Sequence, residues 1–201
     1  MNLYSTQYVE LDFERAGLFK AIRDHYPCKE VLYPGCSAHI TPSLYFPHVA
    51  YVDKNETAAQ FFEDEKPILD FIKRHKHYKQ SAYIRFIHQD YSQPLPLREG
   101  SFDLLLALFA EGIAKSCAKY LKPGGLLLTN NHQGDAVDAV HDGKFRLTGT
   151  VRYQKGSYTI SDATGGITIP AQRHNNNFLK QVNESVQYVE NEVYYLFERL
   201  R

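Results

Sequence analysis

Three short parts of the sequence have the chemistry needed to bind a small polar ligand. Gly35 lacks a side chain, so the backbone N–H groups of this loop, which continues through Cys36 and Ser37, could approach a ligand closely. Asp53 follows Gly35 by 18 residues, and its two carboxylate oxygens suit two ribose hydroxyls. Asp90 could accept a hydrogen bond from an adenine amino group.

A fourth feature is the turn at residues 109–112, which begins with Phe109. All four features fall at the carboxyl ends of successive predicted strands. In open parallel α/β sheets, ligands bind outside these strand ends, where the strand order reverses. The sequence therefore predicts one ligand site that includes Gly35, Asp53, Asp90 and Phe109.

Each of these residues also has a purely structural interpretation. Gly35 could form an ordinary turn between a strand and a helix. Asp53 could cap the helix that begins near Glu56, and Asp90 could be a solvated loop residue. Cys36 would need a basic partner to act as a nucleophile, and the sequence does not identify one.

A second polar group follows the fifth predicted strand and could border a substrate pocket. The neutral imidazole of His132 could accept a proton near pH 7. Asn130 and Asp135 are weaker catalytic candidates, and Asn131 lies beside them. The alternative is a polar loop in which asparagine supplies turn geometry. Both interpretations remain open at this point.

No metal site is predicted. His132 and Asp135, taken with His141 and Asp142, fit no strict metal-ligand spacing. The three cysteines are odd in number and fit no paired zinc spacing, which favours a reduced, cytoplasmic protein. Cys117 lies on an apolar helix face and is expected in the core.

The elements that must position these residues alternate between short apolar runs and amphipathic stretches, as in βαβ units. Strands are predicted at residues 29–33, 48–53, 83–87, 102–108 and 126–129. Residues 102–108 are nearly all apolar, which is typical of a strand buried on both faces. After about residue 135, antiparallel strands are predicted at 145–152, 157–161 and 192–200, with turns at Gly165-Gly166 and Asn175-Asn176-Asn177.

Four helices are predicted. Asp12 is the expected N-cap of the first, which ends before Pro27. Its buried face consists of Leu18, Phe19 and Ile22. The second spans residues 56–63, and Pro67 lies in the first turn of the third. The fourth carries Ala110, Ile113, Ala114, Cys117 and Leu121 at spacings of three and four, and Pro123-Gly124-Gly125 ends it.

Composition narrows the function classes. Apolar residues make up 43% of the 201 residues and charged residues 23%, as in ordinary globular domains. The 23 basic and 23 acidic residues balance, so nothing indicates a nucleic-acid partner. No apolar run approaches the ~20 residues that span a membrane, and the polar first ten residues do not resemble a signal peptide.

Several stretches resemble the class I methyltransferases that use S-adenosylmethionine. They are residues 31–37, 49–53, 87–90, 102–105 and 120–126. The most telling is Leu121-Lys122-Pro123-Gly124-Gly125 before an apolar strand. The resemblance covers about residues 29–131. More narrowly, the Tyr33-Pro34-Gly35 start, the Thr41-Pro42 and Phe46-Pro47 steps and the polar run 130–135 are similar to methyltransferase-like bacterial proteins of unassigned activity.

The resemblance implies one α/β domain with a doubly wound, mostly parallel, seven-stranded sheet and an antiparallel C-terminal edge. Residues 1–28 would form a helical lead-in, 29–135 the cofactor-binding core and 136–201 the antiparallel strands. Gly35 and Ser37 would hold the methionine part of S-adenosylmethionine, Asp53 the ribose and Asp90 the adenine. The first loop departs from the family pattern at Tyr33, where an acid is usual, and at Ser37 and His39, where glycines are usual.

The leading functional hypothesis is S-adenosylmethionine-dependent methyl transfer to a small molecule. A second is a non-catalytic binding module with the same fold, because the glycine loop is incomplete. A third is an NAD-dependent oxidoreductase, since Gly35 and Asp53 approximate a dinucleotide-binding spacing, although Ile40 stands at the last glycine position of that motif. The oligomeric state is not predicted.

Overall fold

A computed structural model describes residues 1–163, 167–170 and 193–201, together with the backbone of residues 179–182 and 185–188. The strands in these parts of the chain are β1 (Glu30–Pro34), β2 (His48–Asp53), β3 (Tyr83–His88), β4 (Phe102–Ala107), β5 (Leu121–Thr129), β6 (Phe145–Gln154), β7 (Ser157–Asp162), β8 (Leu179–Val182), β9 (Ser185–Tyr188) and β10 (Val193–Arg199). The α-helices in them are α1 (Asn2–Tyr4), α2 (Ala16–His25), α3 (Glu56–Glu63), α4 (Glu65–His75), α5 (Ile113–Cys117) and α6 (Asp135–His141).

The main sheet has eight strands in the order β3-β2-β1-β4-β5-β10-β6-β7. The first five are parallel, and β10, β6 and β7 extend the sheet in antiparallel fashion. Strands β8 and β9 form a separate hairpin. The strand order reverses between β1 and β4. The predicted doubly wound α/β fold with an antiparallel edge is confirmed, with eight strands in place of seven.

Two apolar cores lie on opposite faces of this sheet, because alternate residues of the buried strands point to opposite sides. Leu104 and Leu106 of β4 belong to one core, which α2, α3 and α4 cover. Leu105 belongs to the other, which α5 and α6 cover. A sheet buried on both faces requires continuous apolar strands, and this explains the nearly unbroken run at residues 102–108.

Several local predictions are confirmed. Strand β2 and helix α3 have the predicted bounds, and Pro67 lies in the first turn of α4. The predicted buried face of α2 is correct, since Leu18, Phe19 and Ile22 are fully buried. The division into residues 1–28, 29–135 and 136–201 remains a prediction.

The predicted N-cap of α2 is wrong. Asp12 and Arg15 both have left-handed backbones, with φ of 56° and 54°, and the helix begins after Arg15. The side chain of Arg15 is buried, where its guanidinium donates hydrogen bonds to the Tyr194 hydroxyl (3.1 Å) and to the carbonyl of Phe13 (2.9 Å). The contact with Tyr194 is distant in sequence. A capping rule that considers only neighbouring residues therefore cannot predict that α2 begins after Arg15 instead of after Asp12.

Two helix predictions around β5 also need correction. Helix α5 is shorter than predicted: Ala110 precedes it, Leu121 already belongs to β5, and residues 123–125 lie within that strand rather than ending the helix. Helix α6 was not predicted, because it has only seven residues. At the C-terminal edge, β6, β7 and β10 follow the predicted strands closely. The predicted turns at Gly165-Gly166 and Asn175-Asn176-Asn177 lie outside the described residues.

Candidate functional site

The parallel strands bring the predicted ligand residues to one edge of the sheet. Strands β1, β2, β3 and β4 end next to Gly35, Asp53, Asp90 and Phe109 respectively. The β1 and β2 ends are joined directly, since the Gly35 N–H donates to the carbonyl of Val52 at 2.8 Å. This is the edge at which doubly wound sheets bind ligands.

Gly35 lies where two loops touch. Its φ of +66° is in the left-handed region, and a Cβ at this position would lie 2.6 Å from the Cβ of Ala110 and 3.7 Å from a ring carbon of Tyr91. Ala110 belongs to the loop after β4. A side chain at residue 35 would therefore push the β1 and β4 loops apart.

Asp53 is half-buried and holds the β1 loop to the end of β2. One carboxylate oxygen accepts a hydrogen bond from the Ser37 N–H (2.8 Å), and the other accepts one from the Asn55 N–H (2.9 Å). Each oxygen can accept a second hydrogen bond. Asp53 does not cap α3. The N-cap of this helix is Asn55, whose side chain accepts a hydrogen bond from the Thr57 N–H (2.8 Å).

Asp90 lies at the end of β3 next to a lysine. Its carboxylate accepts hydrogen bonds from the Ser92 N–H (2.9 Å) and from the Lys54 ammonium (3.0 Å). The hydrogen bond from the Ser92 N–H has the largest effect and that from Lys54 the next, and they lower the pKa of Asp90 to about 2. The carboxylate is thus ionised and partly exposed beside Lys54, where a donor group could still reach it.

Cys36 and His39 point away from solvent. Cys36 is 1% exposed, and burial raises the pKa of its thiol, so that the thiol stays protonated and only the backbone of Cys36 could serve a ligand. His39 is also 1% exposed. Its ring nitrogens bond to the Tyr33 hydroxyl and to the carbonyl of Glu14, both at 3.0 Å. His39 therefore packs against the N-terminal residues.

The loop after β4 contacts residues that precede α2 and residues that follow β5. Phe109 has a left-handed backbone, with φ of 59°. The Arg15 guanidinium lies 4.4 Å from the centre of the Phe109 ring, and the His132 ring lies 5.2 Å away on a tilted plane. The Phe109 N–H donates to the Asn130 side-chain oxygen at 3.4 Å. Phe109 thus joins the β4 end to the β5 end and to the start of α2.

Asparagine side chains shape the turn after β5. The Asn130 oxygen also accepts from the His132 N–H (3.3 Å), while its amide nitrogen is buried without a hydrogen-bond partner in the described part of the chain. Asn131 has φ of 56°, accepts from the Ala136 N–H (3.1 Å) and donates to the carbonyl of Pro170 (3.0 Å). Asn131 thus provides turn geometry.

Asp135 is the most buried acid of this edge, at 1% exposure. One of its oxygens accepts a short hydrogen bond from the Ala114 N–H (2.6 Å), which caps α5 from a neighbouring helix. The other has no hydrogen-bond partner among the described residues. Burial is the main cause that raises the pKa of Asp135 to about 6. Its geometry is that of a cap, and a catalytic role for it stays a prediction.

Three of the six non-glycine residues with left-handed backbones in the described part of the chain lie at this edge. Ser37, Phe109 and Asn131 follow three different strands, and each is a non-glycine residue with φ between 48° and 59°. Left-handed backbones of this kind cost of order 1–3 kcal/mol each and persist where the surroundings fix them, often at ligand sites.

Within the described residues, no group of three or more His, Cys, Asp or Glu side chains could hold a metal ion.

Three neighbours of the site were not predicted from the sequence: Tyr8, Arg15 and the inward-facing His39. Tyr8 and Arg15 reach the β1 and β4 loops through contacts distant in sequence, which local patterns do not reveal, whereas His39 belongs to the β1 loop itself. The departure of His39 from the glycine pattern was the one available signal. Among the described residues, no helix is both long and apolar enough to cross a membrane.

No protein-family model and no curated protein sequence matches the chain, whereas solved structures do. An S-adenosylmethionine-dependent methyltransferase from Thermotoga maritima, described as a possible histamine N-methyltransferase, is 12% identical with a TM-score of 0.56, over 100% of this chain and 95% of that chain. The N-methyltransferase NodS from Bradyrhizobium japonicum, in complex with S-adenosylhomocysteine, is 15% identical with a TM-score of 0.53, over 95% and 88%.

The tRNA (m1A58) methyltransferase TrmI from Aquifex aeolicus is 15% identical with a TM-score of 0.50, over 93% of this chain and 66% of that chain. At these identities the likeness concerns the fold. It agrees with the strand order, the reversal between β1 and β4 and the antiparallel edge. The chain therefore has the fold of the class I S-adenosylmethionine-dependent methyltransferases, with its own activity unassigned.

Proposed function

We propose that the protein catalyses S-adenosylmethionine-dependent methyl transfer to a small-molecule acceptor. The observation that carries this proposal is the junction of β1 and β2, where a glycine with positive φ stands beside a partly exposed carboxylate. Asp53 is oriented by two backbone N–H groups and keeps acceptor capacity on both oxygens. A ribose diol has two donors that match this capacity.

The residues present fit the cofactor at three points. The loop of Gly35 and Ser37 would hold the methionine part, Asp53 the ribose and Asp90 the adenine. Asp90 already has Lys54 and Ser92 as partners, so an adenine amino group would share its oxygens with them. The backbone of Cys36 and the ring of Phe109 would complete the walls.

The contribution of the chain to catalysis is mainly alignment. S-adenosylmethionine supplies a methyl group already activated by the sulfonium, so the protein must hold the acceptor in line with it and exclude water. His132 lies 5.2 Å, centroid to centroid, from Phe109, and we propose it as the group that accepts a proton from the acceptor. Asn130 is buried next to it and orders the turn that presents His132.

A small molecule is the preferred acceptor class because the chain has no basic surplus. The 23 basic and 23 acidic residues balance, whereas proteins that bind nucleic-acid phosphates usually carry excess positive charge. The tRNA methyltransferase among the structural neighbours makes RNA the alternative acceptor to test.

Thermal unfolding with separate additions of S-adenosylhomocysteine, S-adenosylmethionine and NADH tests the proposal. A ligand at a hundred times its dissociation constant stabilises the folded state by about 2.7 kcal/mol. For a domain of this size, this raises Tm by about 5–10 °C. We expect the rise with both adenosyl ligands and none with NADH. A rise with NADH alone would favour an oxidoreductase, and no rise with any ligand would overturn the proposal.

A further inference from the structure

The first residues of the chain are anchored in the body of the protein. Helix α1 and the π-helix Ser5–Val9 together form what we call the N-terminal segment, residues 2–9. Tyr4 in this segment is fully buried. Its hydroxyl donates to the Glu14 carboxylate and is 2.9 Å from the Thr41 hydroxyl, and its ring packs edge-on against Phe71 at 5.6 Å. The segment is therefore a fixed wall rather than a loose tail.

This anchoring places Tyr8, one helical turn later, over the β1 loop. The Tyr8 ring stacks on His39 with centroids 4.5 Å apart and planes 13° from parallel. Burial is the main cause that raises the pKa of the Tyr8 hydroxyl, while the Ser37 side chain and the charge of Arg15 act in the opposite direction. The Tyr8 ring therefore lies on the β1 loop at His39, two residues from Ser37, whose N–H donates to the Asp53 carboxylate at 2.8 Å.

The platform under Tyr8 is rigid because His39 is neutral and in one tautomer. A carbonyl can only accept, so the His39 Nε2–H donates to Glu14, and Nδ1 accepts from the Tyr33 hydroxyl. Burial lowers the pKa of His39 to about 3, which keeps the ring neutral over the physiological range. Both ring nitrogens are thus used to hold the ring that Tyr8 stacks on.

The connection from β1 to β2 leaves room for this arrangement. Residues 35–47 are all described, and their helical structure is limited to the short 3-10 turn Thr41–Leu44. The N-terminal segment packs on this turn through Tyr4 and Thr41. The N-terminal segment, rather than a long helix after β1, therefore packs on residues 35–47.

We infer that Tyr8 is a ligand-contacting residue, whose ring and hydroxyl close the Ser37–Asp53 side of the site over a bound adenosyl ligand, and that His39 is the positioning residue that holds it there. This inference rests on the proposed function for the identity of the ligand. A phenol suits the place because its hydroxyl both donates and accepts while its ring excludes water.

Calorimetric titration with S-adenosylhomocysteine tests the role of Tyr8. We expect Tyr8→Ala to weaken binding at least tenfold and Tyr8→Phe to weaken it about threefold. Tyr83→Ala is the matched control, since Tyr83 is 60% exposed at the start of β3, at the opposite edge of the sheet. If the Ala variant does not fold, the Phe variant still reports on the hydroxyl.

The role of His39 is tested with His39→Phe and His39→Ala. Phenylalanine keeps a ring for Tyr8 to stack on but loses both hydrogen bonds, so we expect it to lower Tm while retaining more ligand affinity than His39→Ala. A merely structural role would reduce affinity and Tm together in both variants. Equal affinity of the two variants would overturn the positioning role.

Hydrogen exchange of the wild-type amides gives a readout that needs no variant. We expect S-adenosylhomocysteine to slow exchange at residues 5–9 as well as at residues 35–37. If wild type does not bind the ligand, the proposed function fails and this inference with it. If wild type binds but residues 5–9 are unaffected and Tyr8→Ala matches Tyr83→Ala, the inference alone is overturned.

Discussion

Two aspartates at the same edge of the sheet have opposite surroundings. Asp53, after β2, is partly exposed, accepts from two backbone N–H groups and can accept more. Asp135, after β5, is 1% exposed, accepts a hydrogen bond from the Ala114 N–H and leaves one oxygen without a hydrogen-bond partner among the described residues. Both follow parallel strands in a polar sequence context.

The difference comes from what covers each strand end. Beyond β2 the chain turns away into α3, which Asn55 caps, so Asp53 is left facing the β1 loop. Beyond β5, α6 packs against α5, and Asp135 is enclosed between their N-terminal ends. An acid at a strand end is therefore accessible to a ligand only where the following helix leaves it open.

The largest expected effect concerns the contact between the β1 and β4 loops. Gly35→Ala should lower the free energy of unfolding by about 2–5 kcal/mol, because the new Cβ would overlap Ala110 and because φ is +66°. Urea denaturation measures this loss.

Gly100→Ala is the control for backbone conformation alone. Gly100 has φ of +62° and nothing within 4 Å of an added Cβ, so this variant should lose only about 1–2 kcal/mol. Equal losses in the two variants would mean that the Ala110 contact is not what fixes Gly35.

The second-largest expected effect is a dependence of protein stability on pH that comes from the buried Asp135. A pKa raised from 3.8 to about 6 means that the folded state favours protonated Asp135. Its stabilising contribution is complete below about pH 4 and is lost as pH rises through 6, in total about 3 kcal/mol. Asparagine does not titrate. The stability of Asp135→Asn relative to wild type should therefore improve by about 2–3 kcal/mol between pH 4 and pH 8.

Chemical denaturation at both pH values measures this change, and constant costs of the substitution cancel in the difference. A stability difference that does not vary with pH would show that Asp135 ionises without penalty. The comparison between the two acids would then lose its basis.

The smallest expected effect comes from removing the N-cap of α3, which is Asn55 and not Asp53. Asn55→Ala should cost about 1 kcal/mol, as for other N-caps, because the Thr57 N–H loses its partner. Binding of S-adenosylhomocysteine should stay unchanged in this variant. A tenfold loss of binding would indicate that the start of α3, rather than Asp53 itself, controls the site.

The sequence predicted well those features that local pattern determines. Residues 48–53 contain a continuous apolar run and end on an acid, residues 56–63 have a helical pattern, and β2 and α3 have these bounds. Features that depend on distant contacts were not predictable. Arg15 accompanies the start of α2 through Tyr194, 179 residues away, and Asp135 caps α5 from another helix.

The candidate site divides in the same way. Gly35, Asp53 and Asp90 could be named from the sequence because each lies at or just beyond the carboxyl end of a predicted strand. Tyr8 could not, because its place on the β1 loop depends on the anchoring of Tyr4 and on stacking with His39.

The most direct test of the central claim is the dissociation constant of S-adenosylhomocysteine for wild type and Asp53→Ala, measured by calorimetry. Loss of a charged acceptor of two hydrogen bonds, each worth about 1.5–3 kcal/mol, should weaken binding at least a hundredfold. Circular dichroism should show the fold intact. Equal dissociation constants for the two proteins would contradict the assignment of this edge as the adenosyl site.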